Sequence, residues 1–305
     1  MNARLQHRSP STRASRPHRE ARSGALSEFD RIRRTLDGYL EKAGNARKRL
    51  LGGPYDPKLL HAWRVSLRRV IATLNGLARL SDDDLGDVLG YLRQCREATG
   101  QCRDIDILAQ ETLPAFMGES PPSPADTMLL QQALAEQQRL AHEHALAALK
   151  KADITTPIRA WRRWCDSLEA PTDRLVRATA ARVIEDRYST LKKRAAQLDG
   201  GRKRLHRLRT ATKKLRYNVE LYQELFPRRT VDHWLDQLAD LQTHLGLAHD
   251  RMMGRNMLTT LVPADNHGAV AKPFRRWTKH TAYEASHKAT QSLAKLDKLG
   301  RYWRE

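Results

Sequence analysis

The 305-residue chain has little cysteine, few acidic residues relative to its basic ones and no long apolar run. Only Cys95, Cys102 and Cys165 occur, without a CxxC pair, which argues against a disulfide framework and for a reducing compartment. No apolar segment approaches the roughly 18 residues that span a bilayer, and no apolar signal-peptide stretch lies near the start. We therefore expect neither membrane attachment nor secretion, but a cytoplasmic location.

The basic residues are in large excess, with 55 Lys and Arg against 35 Asp and Glu, a net charge of +20 and a pI near 10.3. Such a charge, if concentrated on one surface, attracts polyanions such as nucleic acid, anionic membrane or inorganic polyphosphate. Residues 1–24 are rich in Arg, Ser, Pro and His, and Glu20 is their only acid. We predict a disordered basic arm there, which either adds non-specific anion affinity or only keeps the chain soluble.

Beyond the arm, the sequence predicts an all-α fold, because apolar residues recur at helical spacing and no alternating strand pattern intervenes. We expect four long helices in residues 25–152 and four more in residues 171–303. Residues 153–170 predict a short connecting helix that carries Trp161 and Trp164. Short loops between long amphipathic helices favour antiparallel neighbours, hence two four-helix bundles.

The chain contains an internal repeat, in which a helix with one apolar and one basic face occurs twice at a separation of 145 residues. The matched basic positions are His61 with His206, Arg64 with Arg209, Arg68 with Lys213 and Arg69 with Lys214. No acidic residue occurs from residue 61 to 79 or from 200 to 219, whereas a solvated helix face usually mixes both signs. A purely solvated face remains the alternative to a binding stripe.

The third helix of each half repeats as well, at a separation of 146, with Gly100 and Asp104 matching Gly246 and Asp250. A glycine inside a helix costs about 1 kcal/mol relative to Ala, so its recurrence predicts close backbone approach. The two aspartates are interpreted as structural ion pairs or helix contacts rather than as acid–base catalysts.

Capping residues and prolines set the expected limits of the third helix in the first half. Ser81 and the acids at 82–84 predict its N-terminal cap, and it is expected to run from Leu85 to about Leu113. Pro114 is expected to begin a loop that continues to Pro124.

Four segments in duplicated order carry a resemblance to a known family: LHAWRVSLRR (60–69), GQCRDIDIL (100–108), LHRLRTATKKLRY (205–217) and LGLAHDRM (245–252). From residue 26 to about 300 the chain resembles a CHAD domain, the conserved histidine α-helical domain. The resemblance implies two four-helix bundles related by a pseudo-two-fold axis, with a basic channel or groove between them. It also implies non-enzymatic binding of inorganic polyphosphate, with localisation to polyphosphate granules in some members.

The resemblance places the family's binding positions on the two stripes, namely His61, Arg64, Arg68, Arg69, His206, Arg209, Lys213, Lys214 and Arg216. Further basic residues are candidates for extending the groove: Arg96, Arg103, Arg139, His142, Lys192, Lys279 and His280. Ile71 stands where the second half has Arg216, so the first stripe is somewhat less basic. The ExExK strand of triphosphate tunnel domains is absent, and neither catalysis nor a cofactor is expected.

Several alternatives remain open from the sequence. Nucleic-acid binding is the second hypothesis, because counterion release works on any phosphate chain. An enzyme of phosphoryl transfer would need a metal-binding acidic cluster. His61 and His206 are interpreted as phosphate-contacting histidines, with a carbonyl-bonded core-edge histidine or an arginine-orienting role as alternatives. No metal site is expected at them, because neither has a second His or Cys three or four residues on.

Overall fold

The computed structural model describes residues 26–80, 85–169, 171–199, 201–261 and 270–304. The predicted basic arm at 1–24 and the predicted helix cap at 81–84 lie outside these residues. All regular elements in the described ranges are helical, which confirms the all-α prediction. No helix in these ranges is both long and apolar enough to cross a membrane.

The first half contains six helical segments before a short connecting helix. Ser27 caps the first helix by accepting a hydrogen bond from the Asp30 amide at 3.1 Å. Asp56 caps the second by accepting from the Lys58 amide, with Pro57 at the first helical position. The segments are α1 (Glu28–Gly52), α2 (Pro57–Leu77), α3 (Gly86–Glu97), α4 (Gly100–Ile107), α5 (Leu113–Glu119) and α6 (Pro124–Lys151).

The connecting helix and the four helices of the second half follow. They are α7 (Thr155–Ser167), α8 (Asp173–Ala195), α9 (Arg202–Leu221), α10 (Arg228–Leu261) and α11 (Lys272–Leu296). Both tryptophans of α7 are buried, and the Trp161 indole donates to the Asp37 carboxylate of α1 at 2.9 Å. The connecting helix is thereby fixed to the first half.

The prediction of one helix from Leu85 to Leu113 followed by a loop at Pro114 is wrong. The helix breaks after α3, resumes as α4, widens into a π-helical turn at Leu108–Thr112 and continues as α5. Pro114 lies in the first turn of α5, directly after the π-helical turn, and its missing amide donor interrupts the helical hydrogen bonds locally. The matching helix of the second half, α10, is continuous over 34 residues.

The prediction of close backbone approach at the repeated glycines is also wrong. A Cβ atom at Gly246 would meet nothing within 4 Å, and one at Gly100 would meet only the Arg64 guanidinium at 3.8 Å. Close approach occurs instead at Gly254, where a Cβ would lie 3.0 Å from Thr112, and at Gly76, where it would lie 3.0 Å from Asn218. Both of these glycines lie where helices of the two halves meet.

Helices at equivalent positions of the repeat contact each other across the boundary between the halves. The α1 backbone amide of Glu28 donates to Asp173 of α8 at 3.0 Å, and Arg177 pairs with the Glu28 carboxylate at 2.6 Å. Helices α2 and α9 meet at Gly76, and α4 packs on α10. Buried apolar side chains of both halves form one contiguous cluster. A pseudo-two-fold axis requires such contacts between equivalent helices. The symmetry itself stays a prediction.

Candidate functional site

The two basic stripes face each other across the boundary between the halves. Two adjoining cavities, of about 630 and 500 Å³, lie between α2, α3 and α4 on one side and α9 and α10 on the other. Both are lined by Arg64, Arg68, Asp104, Arg209, Lys213, Tyr217 and His249. We call the two cavities together the cleft.

The shared wall of the cleft is formed by cations that have few acidic partners. Arg209 lies 3.9 Å from Asp250, and Arg68 donates through Nε to the Tyr217 hydroxyl at 3.3 Å. Neither Arg68 nor Lys213 forms a salt bridge with any described carboxylate. Buried charges are normally paired, so Arg68, and Lys213 when it is protonated, are available to an anion.

Burial is the main cause of the pKa shifts in the cleft, and the neighbouring charges act in addition. Burial, and next the nearby Arg209 and Arg68, lower the pKa of Lys213 to about 6. Burial, followed by the charge of Arg209, lowers the pKa of His249 to about 3. Burial raises the pKa of Asp250 to about 6 although Arg209 opposes that shift. An anion bound here would favour the protonated forms of all three groups.

Arg64 has a structural task besides lining the cleft. Its Nη1 donates to the Arg96 carbonyl at the end of α3 and to the Thr99 hydroxyl at 3.1 Å. These bonds provide a donor for polar groups at the break between α3 and α4. Burial lowers the pKa of Arg64 to about 10.

The smaller cavity has a strongly basic lining, although one of its arginines, Arg96, pairs with Glu97 at 2.9 Å. Eight Arg and Lys side chains line this cavity against a single carboxylate, Asp104. Four of them, which do not line the larger cavity, form what we call the basic mouth: Arg93, Arg96, Arg187 and Lys214.

At the larger cavity, three of the arginines outside the shared wall are paired with glutamates. Glu220 lies 3.1 Å from Arg69 and 3.0 Å from Arg216, and Glu111 lies 3.4 Å from Arg103. We call these three arginines and two glutamates the paired mouth. The two openings therefore present different charge densities to an approaching anion.

The histidines of the stripes lie at the edges of the cleft. His61 lines the larger cavity, and partial burial together with Arg103 lowers its pKa. His206 lines the smaller one, with its ring centroid 5.3 Å from that of His249, and partial burial lowers its pKa as well. A third cavity of about 420 Å³ at His206 adds Arg202, Lys203 and Arg207.

Nine stripe residues and two of the predicted extensions, Arg96 and Arg103, line the cleft. The other five extensions do not. Arg139 pairs with Glu136 and Glu143 on the same helix, Lys192 pairs with Asp297, and His280 lies 3.3 Å from Glu284. Lys279 is exposed on α11. The fifth, His142, stacks on Tyr55 with ring centroids 3.6 Å apart.

The sequence analysis missed several residues of the cleft. Arg93 precedes Arg96 by three residues and so shares its helix face, a signal that was available. Arg187 gives no such signal, because Glu185 and Asp186 precede it directly and make that stretch look like a mixed solvated face. Arg251, which stacks over the Trp277 ring at 4.4 Å, lies on α10 beside Asp250.

Comparisons with known proteins agree with the all-α fold. A family model for the CHAD domain matches residues 34–259. No curated protein sequence matches the chain. The crystal structure of the CHAD domain from the plant Ricinus communis is similar at 22% identity and a TM-score of 0.73, over 92% of this chain and 96% of that one. PptA from Streptomyces chartreusis is similar at 16% identity and a TM-score of 0.69, over 88% of this chain and 100% of that one. The family model covers most of the chain, and the protein belongs to the CHAD domain family.

Proposed function

We propose that the protein binds inorganic polyphosphate in the cleft, which acts as a basic channel between the two halves. The observation that carries the proposal is the cavity of about 500 Å³ whose wall holds eight Arg and Lys side chains and one carboxylate. A linear polyphosphate is a dense line of negative charge, and arginine can hold two phosphate oxygens at once. Cations contributed by both halves can contact successive phosphates of such a chain.

The position of the unpaired basic residues favours a thin polymer over a nucleic-acid duplex. The cations without acidic partners, Arg68 and Lys213, lie in the wall that both cavities share. A chain that carries no sugars or bases can reach them, whereas a duplex presents its phosphates only at the outside of a wide helix. Nucleic acid would be restricted to the basic mouth and the surface around it.

We propose further that binding occurs without catalysis. Phosphoryl transfer uses metal ions held by carboxylates, and the two aspartates of the cleft face arginines. Asp250 lies 3.9 Å from Arg209, and the charges acting on Asp104 include Arg64 and Arg209. Incubation with polyphosphate should therefore leave its chain length unchanged. Release of orthophosphate by the purified protein, absent from an Arg68→Ala/Lys213→Ala variant, would contradict this. We propose that in cells the protein is cytoplasmic and localises to polyphosphate granules.

The proposal is tested by removing the two free cations of the shared wall. The double variant Arg68→Ala/Lys213→Ala should lose most of its polyphosphate affinity in a titration at near-physiological salt. The matched control is Arg139→Ala/Lys279→Ala, which likewise replaces one arginine and one lysine, but outside the cleft. Equal losses in both variants would show that net charge alone binds the polymer and would overturn the proposal.

A further inference from the structure

A cluster of metal-ligating side chains lies in the first half, away from the cleft wall. It joins Cys102 and Asp106 of α4 to His142 of α6. Their ligand atoms all lie within 4.8 Å of one another. Cys102 and Asp106 are 2% and 0% exposed, and the His142 side chain is 23% exposed. The cluster is thus enclosed, with the imidazole at its edge.

The cluster is held in place by hydrogen bonds and ring stacking. The Tyr55 hydroxyl donates to Asp106 Oδ2 at 2.6 Å and lies 3.0 Å from Cys102 Sγ. His142 Nε2 lies 3.2 Å from Asp106 Oδ1, and the Tyr55 ring stacks on the imidazole. The ring is therefore fixed with Nε2 directed at the carboxylate.

The separation between His142 and Asp106 is close to that of two ligands of a tetrahedral metal ion. Zinc binds thiolate sulfur at about 2.3 Å and histidine nitrogen or carboxylate oxygen at about 2.0–2.2 Å. Ligand atoms of one tetrahedral ion then lie about 3.3–3.7 Å apart, close to the 3.2 Å between His142 and Asp106. Ligand atoms that lie farther apart than this, within the 4.8 Å limit, would approach one another as the ion binds. The Tyr55 hydroxyl or a water would complete the fourth position.

The alternative is a purely structural role, in which Tyr55, Asp106 and His142 form a hydrogen-bond network that only supports the fold. The second half argues against it, because the positions that match Cys102 and Asp106 at the separation of 146 are Ala248 and Met252. Ala248 is fully buried at its place in α10. Burying a carboxylate is costly unless it is fully partnered. Since the same place in the repeat is filled by apolar residues, packing alone does not require the polar cluster.

We propose that Cys102, Asp106 and His142 form a binding site for a divalent transition metal, with Zn²⁺ the best match to a sulfur, nitrogen and oxygen donor set. The ion fastens α4 to α6 within the first half. Arg103 and Asp104 lie between two of the ligands on α4, and both line the cleft. The metal thus fixes the helix that carries part of the cleft wall. This proposal goes beyond polyphosphate binding and does not depend on it.

The test is a metal titration of the full-length protein, purified without an affinity tag and stripped with a chelator. Zn²⁺ affinity is measured by competition with a chromophoric chelator, and Co²⁺ is added as a spectroscopic probe. We expect one ion per chain and a thiolate-to-cobalt absorption band. Cys102→Ser should abolish that band and weaken Zn²⁺ binding by more than the roughly 10- to 100-fold that loss of an outer-shell partner costs.

The matched control is Cys165→Ser, which removes another buried thiol and should leave the band and the affinity unchanged. Asp106→Asn keeps a hydrogen-bond acceptor for Tyr55 and serves if the Cys102 variant fails to fold. Absence of a thiolate band in the wild-type protein, or Zn²⁺ binding unchanged in Cys102→Ser and in Asp106→Asn, would overturn the proposal. None of these readouts involves polyphosphate, so failure here leaves the proposed function untouched.

Discussion

The guanidinium of Arg68 and the phenol of Tyr217 are joined by a hydrogen bond of 3.3 Å across the boundary between the two halves. Arg68 belongs to α2 and Tyr217 to α9, the helices that carry the two basic stripes. The bond therefore fixes a cation of one stripe against the scaffold of the other. It also lies in the wall that both cavities of the cleft share.

Replacement of this phenol tests how far Arg68 depends on it. Tyr217→Phe keeps the ring and removes the acceptor, so the free energy of unfolding should fall by no more than about 1 kcal/mol. The affinity for polyphosphate should fall several-fold, because Arg68 loses its fixed orientation. Denaturant unfolding and a polyphosphate titration measure the two effects. If the affinity stays at the wild-type value, the orientation of Arg68 is not important for binding.

Glu220 restrains the paired mouth, and its neutralisation should strengthen binding. Its carboxylate lies within 3.1 Å of both Arg69 and Arg216. Glu220→Gln frees these two guanidiniums for phosphate, so the affinity should rise and the salt dependence should become steeper. Titrations at three ionic strengths measure both quantities. Glu136→Gln, which frees Arg139 outside the cleft, is the matched control and should change neither.

Polyphosphate binding should strengthen as the pH falls. In the free protein the pKa of Lys213 is about 6, so its amine is mostly neutral at pH 7.5. A bound phosphate chain raises that pKa, so binding takes up a proton and the affinity falls as the pH rises through and above 6. Asp250, whose pKa is also raised to about 6, acts in the same direction because its neutral form repels phosphate less.

This pH dependence is measured by titrations between pH 5.5 and 8.5 at constant ionic strength. Lys213→Arg, which keeps the charge across this range, should flatten the profile. An affinity that is constant over the whole range would show that neither Lys213 nor Asp250 changes its protonation on binding.

Arg64 should contribute more to stability than the other cations of the stripes. Arg64→Ala removes the donor to the Arg96 carbonyl and to the Thr99 hydroxyl at the break between α3 and α4. Loss of such charged hydrogen bonds costs about 1–3 kcal/mol. Thermal or denaturant unfolding should show this loss, whereas Lys214→Ala, at an exposed position, should be near neutral. Equal stability of both variants would show that Arg64 has no structural role at this break.

Much of this fold could be predicted from the sequence, because apolar periodicity reports buried faces directly. Leu205, Leu208 and Leu215 are all fully buried, as the pattern of α9 predicts. The break between α3 and α4 and the helical Pro114 could not be predicted. They depend on Arg64 reaching from another helix and on a π-helical turn, and neither has a local signature.

The site was predictable to the extent that it repeats. The stripes on α2 and α9 are visible because the second copy confirms the first. Arg139 was misplaced in the groove although Glu136 and Glu143, three and four residues away on the same helix, indicated ion pairs. Lys192 was misplaced because its partner, Asp297, is distant in the sequence. The contrast between the basic mouth and the paired mouth depends on which carboxylates fold back onto which arginines, which is a property of the tertiary structure.

The measurement that tests the account most directly is a competition titration of the purified protein with long-chain polyphosphate against double-stranded DNA and RNA at near-physiological salt. If the cleft holds a thin phosphate chain, polyphosphate displaces both nucleic acids at far lower phosphate concentrations, and Arg68→Ala/Lys213→Ala removes that preference. Equal competition by DNA or RNA, with the preference unaffected by that double substitution, would show that the protein offers only a generic basic surface.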